Sequence, residues 1–200
     1  MRNWPNSDER RGTTLRYLRW IIILLGCAFA AGILVRSNPA AAASAAEINR
    51  DAKSALQKLY AKSPKAKTLS EKAKGVLVFP GIVKGGFMVG GQYGEGALIK
   101  EGGKTAGYYS TVQASYGLQA GIQKFGYALF LMTDSALKWI DKSGGWEVGT
   151  GPTIVVMDAG AAGAATTTTL QSEIYAFFFD QKGLMGGLGL QGTKITKINK

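Results

Sequence analysis

Lysine and arginine carry the most concentrated chemistry of this chain. Between Ser44 and Lys74 eight of them stand against three aspartates and glutamates, whereas Gly75 to Lys200 holds ten against eight. The formal charge of +11 therefore belongs mainly to basic N-terminal stretches joined to a nearly neutral body. Such an end attracts an anionic partner: membrane lipid, nucleic acid or an acidic polymer. The bland alternative for any one of these lysines is an ordinary solvated surface.

No other residue type offers comparable chemistry. Histidine is absent and Cys27 is the single cysteine. Ser–His and Cys–His nucleophilic pairs, histidine or thiolate metal sites and an internal disulfide are thereby removed. Acid–base work by carboxylates alone would draw on Glu95, Glu101, Asp134, Asp141, Asp158, Glu173 and Asp180. A glycosidase-type site needs two of these facing across a cleft, and no spacing among them predicts it. Glu95, between Gly94 and Gly96, reads as exposed polarity in a tight turn. The segment GGQYGEG, residues 90–96, matches neither the phosphate-binding GxxxxGK[ST] loop nor the dinucleotide fingerprint, since no helix follows it. No catalytic residue, cofactor or metal is expected.

The elements that must hold the cations are read from periodicity and punctuation. Arg2, Arg10, Arg11, Arg16 and Arg19 precede an uninterrupted apolar run, Trp20 to Val35, and then the small-residue stretch RSNPAAAASAAEI. That is the order of a secretory signal, with cleavage after Ala43 or Ala45. The run falls short of the ~20 residues of a comfortable span. A retained anchor, and a lipid on Cys27 within Leu24-Leu25-Gly26-Cys27, stay open. Residues 1–43 are thus read as an export signal or N-terminal membrane anchor, and 44–200 as one domain in a bacterial periplasm or cell envelope. Export also argues against nucleic acid, as does the lack of interleaved aromatic and basic residues of the stacking type.

Ser44-Ala45-Ala46-Glu47 is a capping box, and Ile48, Ala52, Ala55, Leu56, Leu59 and Tyr60 then share one helical face. Ser63-Pro64 stops this helix and starts another, Lys65 to Lys74, with Ala66, Leu69 and Ala73 inward and Gly75 as its C-cap. Strand patterns follow. Val76 to Phe79 ends at Pro80, and Phe87–Val89 and Ala97–Ile99 are separated by the turn-rich GGQYGEG. Tyr108 to Tyr116 and Leu118 to Gln123 alternate, and Tyr127 to Met132 is apolar throughout. Thr133 or Asp134 caps a short helix, Ser135 to Lys142, that buries Leu137 and Ile140. Trp146, Thr153–Met157, Ile174–Phe179 and Leu184–Leu190 continue the strands, and Ala159–Thr169 is a low-complexity connector or a strand of tiny side chains. The expected fold is α+β: basic N-terminal helices packed on a mostly antiparallel, glycine-rich curved sheet or barrel.

The order of these segments resembles the SYLF-domain family. A lysine-rich helix leads into AKGVLVFPGIVKGGFMVGGQYGEGALI, then YYS, SYGLQAGIQ, an apolar strand with a following AL helix, and a late GLMGGLGLQGTKI. The resemblance covers nearly all of Ala45 to Lys200. It implies binding of phosphoinositide or another anionic lipid through the basic, amphipathic N-terminal part. Members in yeast and animal endocytosis are described as actin-binding as well. Phosphoinositides are uncommon in bacteria and a periplasm holds no actin, so actin is a family property only, and the expected partner is an anionic phospholipid membrane. The expected lipid-binding residues are Arg50, Lys53, Lys65, Lys67, Lys72, Lys74 and Lys84. Leu56, Leu59 and Tyr60 are candidates for shallow membrane insertion, or else they pack on their own sheet. The alternative function is a structural envelope or outer-membrane β protein acting through a protein partner.

Overall fold

In the computed structural model Ser44 opens the first helix as its sequence dictates. Helix α1 spans Ala45–Lys62, with the Ser44 hydroxyl accepting from the Glu47 amide and the Glu47 carboxylate accepting from the Ser44 amide at 2.8 Å. Ser63 then does two jobs. Its amide donates to the Leu59 carbonyl at the end of α1, and its hydroxyl accepts from the Ala66 amide at the start of α2, Pro64–Lys72. The described residues are 43–142, 144–157, 172–183 and 189–200. The segment up to Ala42, expected as an export signal or anchor, Asp158, the Ala159–Thr169 tract and most of the expected Leu184–Leu190 strand lie outside them.

Helix α2 ends earlier than expected, with Ala73 as its cap rather than Gly75. The Lys74 amide already donates to the Leu131 carbonyl at 2.8 Å, and Gly75 is the first residue of β1. Sheet pairing has taken over before a helical C-cap is needed.

Two very long strands follow. β1 spans Gly75–Ile99 and β2 spans Thr105–Leu131, joined by one short 3-10 turn, Glu101–Gly103. They pair antiparallel from Gly75↔Leu131 to Ile99↔Thr105, with register shifts between Phe79 and Ile82 and between Phe87 and Val89. Pro80 therefore marks a bulge instead of a strand end, since it lacks the N–H a regular ladder requires. GGQYGEG is likewise strand and not turn. Its glycines serve close approach, because the β1–β2 ribbon doubles back on itself. A Cβ on Gly96 would collide with the Val78 carbonyl, and one on Gly94 would press the Ile82 side chain. Gly75 and Ile99 thereby become neighbours at one end of the folded ribbon. Phe87, Met88 and Val89 form its apex at the other.

β2 is the spine of the sheet. Its first half pairs antiparallel with β6, Lys194–Ile198, and its second half with β5, Ile174–Gly183. β4, Ile154–Met157, lies parallel to β5, and β3, Trp146–Glu147, pairs with β6. Thr133 caps the short helix α3, Asp134–Ile140, by accepting from the Ala136 amide. The arrangement is the expected α+β fold with a curved, mostly antiparallel sheet.

Burial on both faces explains the continuous apolar runs. Leu77, Phe79, Ile82, Leu98, Tyr127 and Leu129 point into the folded ribbon with Trp146 and Ile195. Val76, Val78, Ala97, Phe130 and Phe177 point the other way, against Ile48, Ala52, Ala55, Leu56 and Leu59 of α1. Inside the ribbon, Thr111 and Tyr127 satisfy each other through a buried 2.7 Å hydrogen bond.

Candidate anion-binding groove

At the Gly75 end of the ribbon, α1, the end of α2 and the β1–β2 turn enclose a groove of about 800 Å³. Lys53 enters it from α1, Lys72 and Lys74 from the end of α2 and its connection to β1, and Lys100 from the turn. Glu71 and Glu101 also line it, so cations outnumber carboxylates two to one. Leu56 and Tyr60 contribute an apolar wall, which makes the site amphipathic. Burial pushes the Tyr60 phenol above its ordinary value, and its hydrogen bond with Ser70 works the other way. The phenol is therefore a neutral donor at physiological pH.

None of the four lysines is taken up by a carboxylate among the described residues. The ion pairs found there are Arg50–Asp51, Lys62–Asp180, Lys197–Asp141 and Lys200–Glu95. A cluster of exposed, unneutralised ammonium groups around a concave wall is suited to a multivalent anion, because each lysine supplies a rotatable point charge with three donors.

The structure divides the expected lipid-binding residues. Lys53, Lys72 and Lys74 converge on the groove. Arg50 is exposed but engages its neighbour Asp51 at 2.9 Å. Lys65 and Lys67 lie on α2 outside the groove lining. Lys84 is only 7% exposed, opposite the buried Gln123 in the β1–β2 ladder, so it is not a surface contact. Of the two readings for the insertion candidates, the packing one holds for Leu56 and Leu59. Leu59 lies in the helix–sheet core and Leu56 is 6% exposed at the groove wall, because α1 spends its apolar face on β1 and β5. Tyr60 is half-buried, 6.5 Å from the Phe130 ring. Lys100 was missed: it lies far along the chain from the basic helices, and only the doubling back of β1 carries it there.

Two of the candidate carboxylates, Glu95 and Asp141, are occupied structurally. Glu95 is not exposed turn polarity; it accepts from Lys200 at 2.9 Å and from Tyr93 at 2.8 Å, with both ion-pair side chains 11% exposed. Burial works against its charge, but Lys200 and Tyr93 outweigh this and hold its pKa below the ordinary value. Asp141 behaves alike, with Lys197 and Tyr109 overcoming burial. Among the described residues no group of three or more acidic or cysteine side chains gathers as a metal site. No helix among them is long and apolar enough to cross a membrane, which says nothing of strands.

A comparison with curated proteins returns no match. A family model does match, over residues 112–200. That segment begins inside β2 and runs through β6, so it covers the spine of the sheet and leaves the groove-lining helices and β1 outside. Residues 112–200 match the model of the Ysc84 family, described as Las17-binding protein actin regulator, in agreement with the resemblance of the sequence to the SYLF-domain family.

Proposed function

We propose that this protein binds anionic lipid headgroups at a membrane surface, without catalysis, and that the groove of Lys53, Lys72, Lys74 and Lys100 holds the headgroup. The observation that carries this reading is the convergence of four unneutralised lysines from three separate elements on one amphipathic groove. A solvated surface has no reason to gather them around an apolar wall. The mechanism is electrostatic capture. Each lysine near an anionic surface contributes ~1 kcal/mol, and the attraction weakens as salt shortens the screening length to about 8 Å at physiological strength.

The basic and apolar N-terminal segment supports a site of action in the bacterial envelope, with 1–43 as signal or anchor and 44–200 as the binding domain. The family description names an actin regulator; in an envelope setting the lipid, and not actin, is the partner we carry over. Co-sedimentation of the Ala43–Lys200 portion with neutral and anionic vesicles, at low and high salt, tests the reading. Binding confined to anionic vesicles and lost at high salt is expected. Equal binding to neutral vesicles, or none to either, overturns it.

A further inference from the structure

The apex of the folded ribbon, at the end away from the groove, carries an unusual surface. Phe87, Met88 and Val89 are 75%, 59% and 61% exposed, three consecutive apolar residues in open solvent. The register extends this patch down both flanks. Val83 and Phe87 share a face with Ile122 and Lys124, since Val83 pairs with Lys124 and Gly85 with Ile122. On the other limb Val89 shares a face with Tyr93 and its partner Val112, also exposed. The apex is therefore apolar on both outer sides and has the shape of a wedge. Exposed apolar surface of this continuity marks an interaction site.

The backbone gives a second reason. Met88 has φ of 61°, in the left-handed region where glycine or asparagine is the low-energy choice. A large apolar side chain held in that conformation, at the point of greatest exposure, is strain kept at a presenting position.

We infer that this apex is a membrane wedge, inserting Phe87, Met88 and Val89 into the interfacial region of an anionic bilayer. Charge selects the occupant. Lys124 and Lys182 are cross-strand partners, both exposed, on the same face as Val83, Phe87 and Ile122. β2 has no acidic residue, and the one carboxylate of β1 and the one of β5, Glu95 and Asp180, are held by Lys200 and Lys62. Apolar residues flanked by free-standing cations match a bilayer interface with anionic headgroups. A second copy fits worse, because two-fold pairing of identical patches would set these lysines against each other. The inference rests on the reading that the protein works at a membrane, but not on the groove. The two lie at opposite ends of the ribbon, so a bilayer entered by the apex and a headgroup held in the groove are separate engagements.

The test uses the full chain with Cys27→Ser and Met88→Cys, labelled with nitrobenzoxadiazole, against Gln57→Cys labelled at the groove. Mixed phosphatidylcholine–phosphatidylglycerol vesicles should shift the emission of label 88 to the blue. A nitroxide high on the acyl chain should quench it, and label 57, which meets headgroups only, should not be quenched. Adding Phe87→Ser and Ile122→Ser should abolish the shift while thermal unfolding stays cooperative. No shift at 88, acyl-chain quenching at 57 equal to that at 88, or a shift that rises with protein concentration without vesicles overturns the wedge. An intact shift at 88 with salt-insensitive binding that ignores the groove lysines overturns the headgroup reading alone.

Discussion

Two pairs of lysines on the same helix region separate a built groove from diffuse positive charge. Lys72 and Lys74 line the groove, whereas Lys65 and Lys67 on the same α2 segment do not. Changing either pair to glutamine removes the same formal charge. If the groove is the site, Lys72→Gln with Lys74→Gln removes two contributions of ~1 kcal/mol each. At about 1.4 kcal/mol per tenfold change, that is about thirtyfold in affinity for anionic vesicles. Adding Lys53→Gln and Lys100→Gln doubles the free energy, to about a thousandfold. The Lys65/Lys67 pair acts only through screened, longer-range attraction and should lose less than about threefold. Glu71→Gln with Glu101→Gln removes the opposing charges and should tighten binding by up to about tenfold. Vesicle titration in moderate salt, with thermal unfolding as the folding control, reads all four variants; exposed swaps of this kind change stability by under ~0.5 kcal/mol. Equal losses from the two pairs would refute the groove, since binding would then follow net charge alone.

The fold makes three further predictions. Gly96→Ala drives a methyl into the Val78 carbonyl and the Phe79 ring and should cost about 3 kcal/mol, whereas Gly81→Ala meets nothing within 4 Å and should be near neutral; urea midpoints compare them. The Glu95 and Asp141 carboxylates titrate below their ordinary values of 4.5 and 3.8, so the stability they contribute is complete above those values. It should be lost as pH falls through the lowered folded pKa values, and Glu95→Gln should flatten its share of that acid limb. Lys200→Met, which strands a mostly buried Glu95, should cost about 2 kcal/mol at neutral pH and progressively less in acid.

Local signals in this chain translated directly. The capping box at Ser44, the Ser63-Pro64 junction and the Thr133 cap each satisfy free helix amides with a neighbour in sequence, so no tertiary knowledge was needed. The alternating runs of β2 likewise became strand. The failures were all non-local. A glycine that lets two backbones touch is the same letter as one that turns the chain, so GGQYGEG read as a turn although Gly94 and Gly96 serve contact with Ile82 and Val78. An apolar helical face looks alike whether it meets a bilayer or its own sheet, so the sequence left Leu56 and Leu59 between insertion and packing until their partners in the sheet were known. Lys100 and the Phe87–Val89 apex depend on where the ribbon folds, which periodicity does not encode.

That fold-back also constrains the order in which the molecule assembles. The first β1–β2 contacts, such as Leu98 with Gly107, close a very short loop, and each later pair is reached by zippering outward, as far as Gly75 with Leu131. β5 and β6 recruit opposite halves of β2, so neither has a template until that zipper has run. The late partners include β6, and Lys200 just beyond it then locks Glu95. A chain emerging N-terminus first thus holds a finished ribbon with one edge of its spine unpaired until β5 and β6 have emerged. For that interval an open β2 edge is the species most exposed to mispairing with another chain.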